Sequence, residues 1–345
     1  MKTEIRLSIA ERTPFAGGME FGTTGPYERI KGRVHFAVDP GEQAYSGITD
    51  LDKAPRNEKD LVDYSTDFLI LKPLELENGN RRIFFDWGNR GNIRALQFFN
   101  DAVGSNDPQT LEEAGNGFLF RRGYSVVFAG WQGDLLAGNG RFLMDLPVAT
   151  DQGKPITGLV RCEYILEEEG VTTQPLSGWA STRSHPTVSL DTRQATLTRR
   201  QYGDSPREVI PPDQWMFARD EGGSGLDGVS KQTAIVPSDS NLYLPGGFEP
   251  GWIYELVYTG KDPLVLGLGH TAVRDFISFL KYDASDDEGT PNPLGSGMIE
   301  KAYGWGRSQT GRAIRDFVYH GYNEDLKGRK VFDGLLPHVS GAGLL

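Results

Sequence analysis

Cysteine is nearly absent: Cys162 alone occurs in 345 residues, so no internal disulfide can form. Histidine is sparse, five in all, and no two lie three or four residues apart, which removes the helical zinc pattern; no metal site is expected. No apolar run approaches the roughly 18 to 20 residues of a membrane helix, so no membrane association is expected. Basic residues are outnumbered 36 to 47, and the net charge of −11 gives no cationic footprint for nucleic acid. The N-terminus carries Lys2, Glu4 and Arg6 and lacks an apolar signal core, which makes the cytoplasm the expected compartment. Glycine runs the other way. Its 44 copies are nearly 13% of the chain, against about 7% in an average protein, and imply many turns and loops.

The order of patterns reads as an α/β protein of one domain, residues 1–345. Residues 1–78 are strands and turns, with alternation from Glu4 to Ile9 and an extended run from Asp67 to Pro73. From 79 to 134 the rhythm changes. Arg82–Trp87 is a buried-type strand, a helix follows through Ala95, Leu96, Phe98 and Phe99, a second helix is indicated between Leu111 and Arg122, and Gly123–Gly130 is another central strand. Strand, helix and strand in that spacing predict a parallel sheet with crossover helices. Residues 135–250 lack a helical face and read as a large β-rich insertion or lid. The α/β rhythm returns over 251–345, where Val273, Phe276, Ile277 and Leu280 form a helical stripe.

The segment Ala302–Phe317 carries the chemistry. A short strand runs into Gly306-Arg307-Ser308-Gln309-Thr310-Gly311 and a helix follows at once, the layout of a nucleophile elbow. Small residues are needed beside the serine because the strand end and the helix start crowd together. Gly306 meets that need on one side; Thr310 is larger than the usual glycine on the other, with Gly311 one place later. The bland alternative is an ordinary helix N-cap serine.

The run Gly306–Arg312, continued by Phe317–Asp325 and Val331–Val339, resembles the bacterial α/β-hydrolase domain-containing proteins. Gly25–Glu28, Gly32–Pro40, Asn89–Gly91, Gly130–Asp134 and Gly247–Trp252 are similar as well. The resemblance implies an α/β-hydrolase fold with a mostly parallel sheet and flanking helices. It makes Ser308 the nucleophile of a serine hydrolase acting on a small-molecule carboxylic ester, without cofactor. In that fold one oxyanion donor is the N–H after the nucleophile, here Gln309, and the other comes from the loop after an earlier strand, here Arg90 or Gly91.

The acid and base of the triad should follow the serine in that order. His338 is the one imidazole late in a strand-like segment and is the candidate base. No acid precedes it in the required place, so the chain reads as ending before its last strands, with acid and base beyond Leu345. Two alternatives accompany this reading. One is an inactive, binding form of the fold. The other is an NAD(P)-binding oxidoreductase, because Gly267–Ala272 matches the dinucleotide fingerprint, although an acid ending the next strand is missing. The acidic run from Asp283 fails as a calcium loop. Trp131, Trp179, Trp215 and Trp252 read as packing.

Overall fold

The computed structural model describes residues 3–177, 181–220 and 234–343. It is strand-rich with few helices and divides into two compact units, Met1–Gly133 with Ala137–Pro147 and Val265–Leu345, and Asp134–Leu136 with Val148–Leu264. Trp179 lies outside the described residues. Among the described residues no helix is long and apolar enough to cross a membrane.

The first unit is built on an eight-stranded mixed sheet. Its strands are β1 (Thr3–Pro14), β2 (Tyr27–Val38), β3 (Val62–Pro73), β4 (Arg82–Trp87), β5 (Ser125–Ala129), β6 (Met144–Asp145), β7 (Lys301–Arg307) and β8 (Gly334–His338). The order is β1-β2-β3-β5-β4-β7-β8, with the short β6 beside β3. Only β5, β4, β7 and β8 run parallel to one another; β1, β2 and β3 form an antiparallel meander that joins through β3 to β5. The expected mostly parallel sheet is therefore corrected to a half-parallel one. The N-terminal residues join the same sheet, and the connections at 15–26 and 39–61 hold only 3-10 turns and loops, with no crossover helix to carry a parallel return.

Burial follows from these neighbours. β5 is buried throughout and β4 at all but its first residue, as strands covered on both faces must be. Helices α1 (Ala95–Asn100), α2 (Leu111–Ala114) and α3 (Phe118–Arg121) cover one face, where Phe15, Phe21, Tyr27, Phe84, Phe120 and Trp305 pack in one cluster. The predicted helix over 111–122 is thus two short helices. Thr110 and Glu113 form a capping box for α2, and Gly115 and Gly117, both at positive φ, break the segment before α3. On the opposite face, α4 (Leu268–Tyr282) buries the expected stripe of Val273, Phe276, Ile277 and Leu280. Phe276 meets Phe68 of β3 at 5.4 Å between ring centroids.

Strand β1 lies at the sheet edge, and the acidic loop after α4 occupies its free amides. Asp287 Oδ2 accepts from Ile5 N–H at 2.7 Å, Asp286 Oδ2 accepts from Leu7 N–H at 2.7 Å, and Asp287 N–H donates to Ile5 C=O at 3.1 Å. Burial opposes ionisation of Asp286, but the N–H groups of Leu7, Thr290 and Glu288 outweigh it and hold the carboxyl below its ordinary range. The acidic run thus latches an edge.

The second unit contains a four-stranded antiparallel sheet in the order Glu208–Ile210, Thr196–Arg200, Ile253–Lys261, Thr157–Ile165. One face packs Cys162, Tyr164, Leu197, Trp215, Tyr254 and Tyr258; burial pushes the Cys162 thiol up to about 11. The strand after Trp252 pairs with Thr157–Ile165 over nine residues. The expected return of the α/β rhythm at 251 is corrected accordingly: the chain rejoins the large unit at Val265.

Candidate active site

Strand β7 ends at Arg307, and α5 (Gln309–Tyr319) begins two residues later. Ser308 makes the whole turn between them, at φ 61° and ψ −116°. That combination lies outside the regions open to an L-residue and costs about 1–3 kcal/mol. Surrounding bonds hold it. Ser308 N–H donates to His338 C=O on β8 at 3.0 Å, and Ser308 C=O accepts from Arg312 N–H at 3.1 Å. Thr310 Oγ1 accepts from Arg307 N–H at 2.8 Å and donates to Arg307 C=O at 3.1 Å. A Cβ on Gly306 would stand 2.7 Å from Thr310 C=O, so glycine is required there. The Ser308 side chain makes no capping hydrogen bond, which separates it from an ordinary N-cap serine, and the residue is exposed.

The loop after β4 meets this turn. Asn89 Nδ2 donates to Arg307 C=O at 3.3 Å, while Asn89 and Asn92 exchange both backbone bonds across a tight turn, at 2.9 and 3.1 Å. Arg90 and Gly91 both take positive φ, 51° and 74°. Gly91 C=O accepts from Phe142 N–H at 2.9 Å. Gln309 lies in the first turn of α5, whose N–H groups have no partner within the helix. The Ser308-Gln309 segment and the 89–91 loop, about 220 residues apart in sequence, therefore come together through Asn89 and Arg307.

Three further groups position this edge. Asp86, 1% exposed, accepts at Oδ2 from the N–H groups of Arg94 and Ala95, at 2.6 and 2.7 Å, and starts α1. Burial pushes its carboxyl up to about 7, against the pull of those two bonds, and its Oδ1 is buried without a partner. Trp131 Nε1 donates to Gly88 C=O at 2.7 Å, fixing the start of the loop. His270 on α4 stacks on Trp131 at 6.2 Å with the rings 7° from parallel. Burial lowers the His270 imidazole to about 4 although Asp316 pulls it upward, and Nδ1 has no partner.

No imidazole stands at Ser308. His338 is the strand partner of Arg307 and is exposed, with its ring 6.5 Å from that of Phe98; only its backbone carbonyl bonds Ser308. His320 follows the last turn of α5. Among the described residues no group of three or more His, Cys, Asp or Glu is arranged to hold a metal.

The glycines of the dinucleotide-like segment have another use. A Cβ on Gly269 would stand 2.0 Å from Trp131 C=O, so this glycine lets α4 approach Trp131. The strand before it, Ile253–Lys261, belongs to the other sheet. The layout of strand, glycine loop and helix in one βαβ unit is not met. A cavity of about 770 Å³ lies elsewhere in the first unit, against β1, β2 and β3, lined by Glu4, Arg6, His35, Lys59 and Asp63 among others. Ser308 is not on its wall, and the candidate site rests on the serine turn.

Sequence reasoning proposed the serine, the amide after it and the loop, and missed Thr310 as a clamp and the Asp86 and Trp131 supports. A charged residue inside the apolar run Phe84-Phe85-Asp86-Trp87 was the available signal for Asp86.

The parallel half of a mixed sheet thus delivers an exposed serine on a strained strand-to-helix turn. Residues 221–344 match the family model described as Alpha/beta hydrolase domain. No curated protein and no solved structure matches the chain.

Proposed function

We propose that the protein is a serine hydrolase of small carboxylic esters, with Ser308 as nucleophile. The observation that carries this reading is the Ser308 backbone, φ 61° and ψ −116°, with its hydroxyl exposed and bonded to nothing in the helix it precedes. Ser308 Oγ attacks the ester carbonyl and gives its proton to a base. The oxyanion is held by the Gln309 N–H and by Arg90 or Gly91 in the loop beside the turn, at the positive end of α5. Collapse expels the alcohol, and water then releases the acyl group from Ser308. None of the five histidines hydrogen-bonds Ser308 Oγ, so the acid and base of the triad are assigned to no residue here.

A fluorophosphonate probe is expected to label the protein at Ser308, with labelling lost in Ser308→Ala. Labelling at another residue, or labelling that survives the substitution, overturns the assignment. The missing imidazole partner also favours a second reading, a binding protein on a hydrolase fold, which predicts no ester turnover by the protein.

A further inference from the structure

Charge is unevenly distributed around Ser308. The three segments that meet at its turn, residues 88–100, 302–315 and 334–343, contain no acidic residue, although the chain has 47. They contain five arginines: Arg90, Arg94, Arg307, Arg312 and Arg315. Arg90 bonds Asn89 at 3.3 Å and Arg315 bonds Gly341 C=O. Arg94 bonds the neutral Gln97, at 3.0 Å. The Arg94 charge also acts on the buried Asp86 at the end of β4, whereas among the described residues no salt bridge joins Arg307 or Arg312 to a carboxylate.

Arg307 is the most telling. It precedes Ser308, is exposed, and holds its guanidinium 5.2 Å from the ring centroid of Phe98. Phe98 is itself 47% exposed while it packs on Trp305 at 5.3 Å, and exposure of that apolar area is unfavourable. A cation lying on an exposed ring, beside a hydroxyl at a helix start, offers one surface for an apolar body and one for a negative charge. Elsewhere basic groups that are buried meet carboxylates, as Arg29 does Glu11 at 2.8 Å and Lys281 does Asp333 at 2.8 Å.

We infer that the substrate carries an anionic group, a carboxylate or its equivalent, bound by Arg307 while the adjoining apolar part lies on Phe98. This rests on the reading of Ser308 as the reacting group. Arg307 would then decide specificity, and long-range attraction from the arginine-rich edge would gather anionic esters against the net negative charge of the whole protein.

Calorimetric titration of the chain with 4-phenylbutyrate and with its uncharged analogue 4-phenylbutanamide tests the inference without requiring turnover. The acid is expected to bind about fivefold more tightly, the effect of one exposed charge pair near 4 Å, and about 0.5 M sodium chloride should erase the difference. In Arg307→Gln the ratio should fall to about one, and Arg307→Lys should restore part of it. Equal affinities in the parent protein, no binding of either compound, or a ratio unchanged in Arg307→Gln would each overturn the inference. Labelling by fluorophosphonate at a residue other than Ser308 would instead overturn the nucleophile, and the titration result would stand apart from it.

Discussion

At Ser308 the backbone occupies a region that only glycine enters without strain, at φ 61°, and the side chain gains no local bond in return. Strain of this kind persists only where neighbours enforce it, here Thr310, His338 C=O and Arg312 N–H. Ser308→Gly should therefore stabilise the fold. Relief of about 1–3 kcal/mol exceeds the entropy that glycine adds to the unfolded chain, up to about 1 kcal/mol. Urea unfolding should show a higher midpoint at unchanged slope, with fluorophosphonate labelling lost. A lower midpoint would mean that the turn is unstrained. The serine was legible in the sequence because strand, small residues and helix follow one another locally. Thr310 was not: a threonine where glycine is usual reads as a defect until its hydroxyl is seen bridging both backbone groups of Arg307.

The same division holds among elements. Arg82–Trp87 and the stripe on α4 follow from apolar periodicity alone, and both are found where the pattern puts them. Pairings between distant segments carry no such signal. The latch between Asp286–Asp287 and β1 spans about 280 residues of sequence, and the strand after Trp252 looks central whichever sheet receives it. The latch makes its own prediction. Asp286→Ala removes the acceptor for Leu7 N–H, at an expected cost of about 1–3 kcal/mol, and amide exchange at Leu7 should accelerate with it. Because the folded carboxyl titrates below its usual range, this contribution is present above the unfolded value near 4 and fades as pH falls through the folded one. Exchange at Leu7 unchanged by the substitution would show that the edge is held by other groups.

For the molecule as a whole, two buried groups pull stability in opposite directions as pH changes. Asp86 titrates at about 7 in the fold against 3.8 when free, so between those values the folded state holds more protons than the unfolded chain. Its contribution is full in acid and is lost as pH rises through 7. His270 titrates at about 4 against 6.5, so the unfolded chain holds more protons in that window, and its contribution is full above 6.5 and is lost as pH falls toward 4. Both act from about pH 4 to 6.5 with opposite slopes, and their sum is nearly flat there. Removing one exposes the other. Stability of Asp86→Asn measured against the parent protein should improve as pH rises across this window, because only the parent loses the aspartic acid's share. His270→Phe, which keeps a ring against Trp131, should worsen against the parent over the same range. Urea midpoints for the three proteins at intervals from pH 4 to 7 give both differences. Parallel curves would show that neither group titrates away from its ordinary value. A curve for Asp86→Asn that alone runs parallel to the parent would show that the carboxyl of Asp86 is already charged in the fold at pH 4, and that the loop it anchors beside Ser308 is held by a carboxylate.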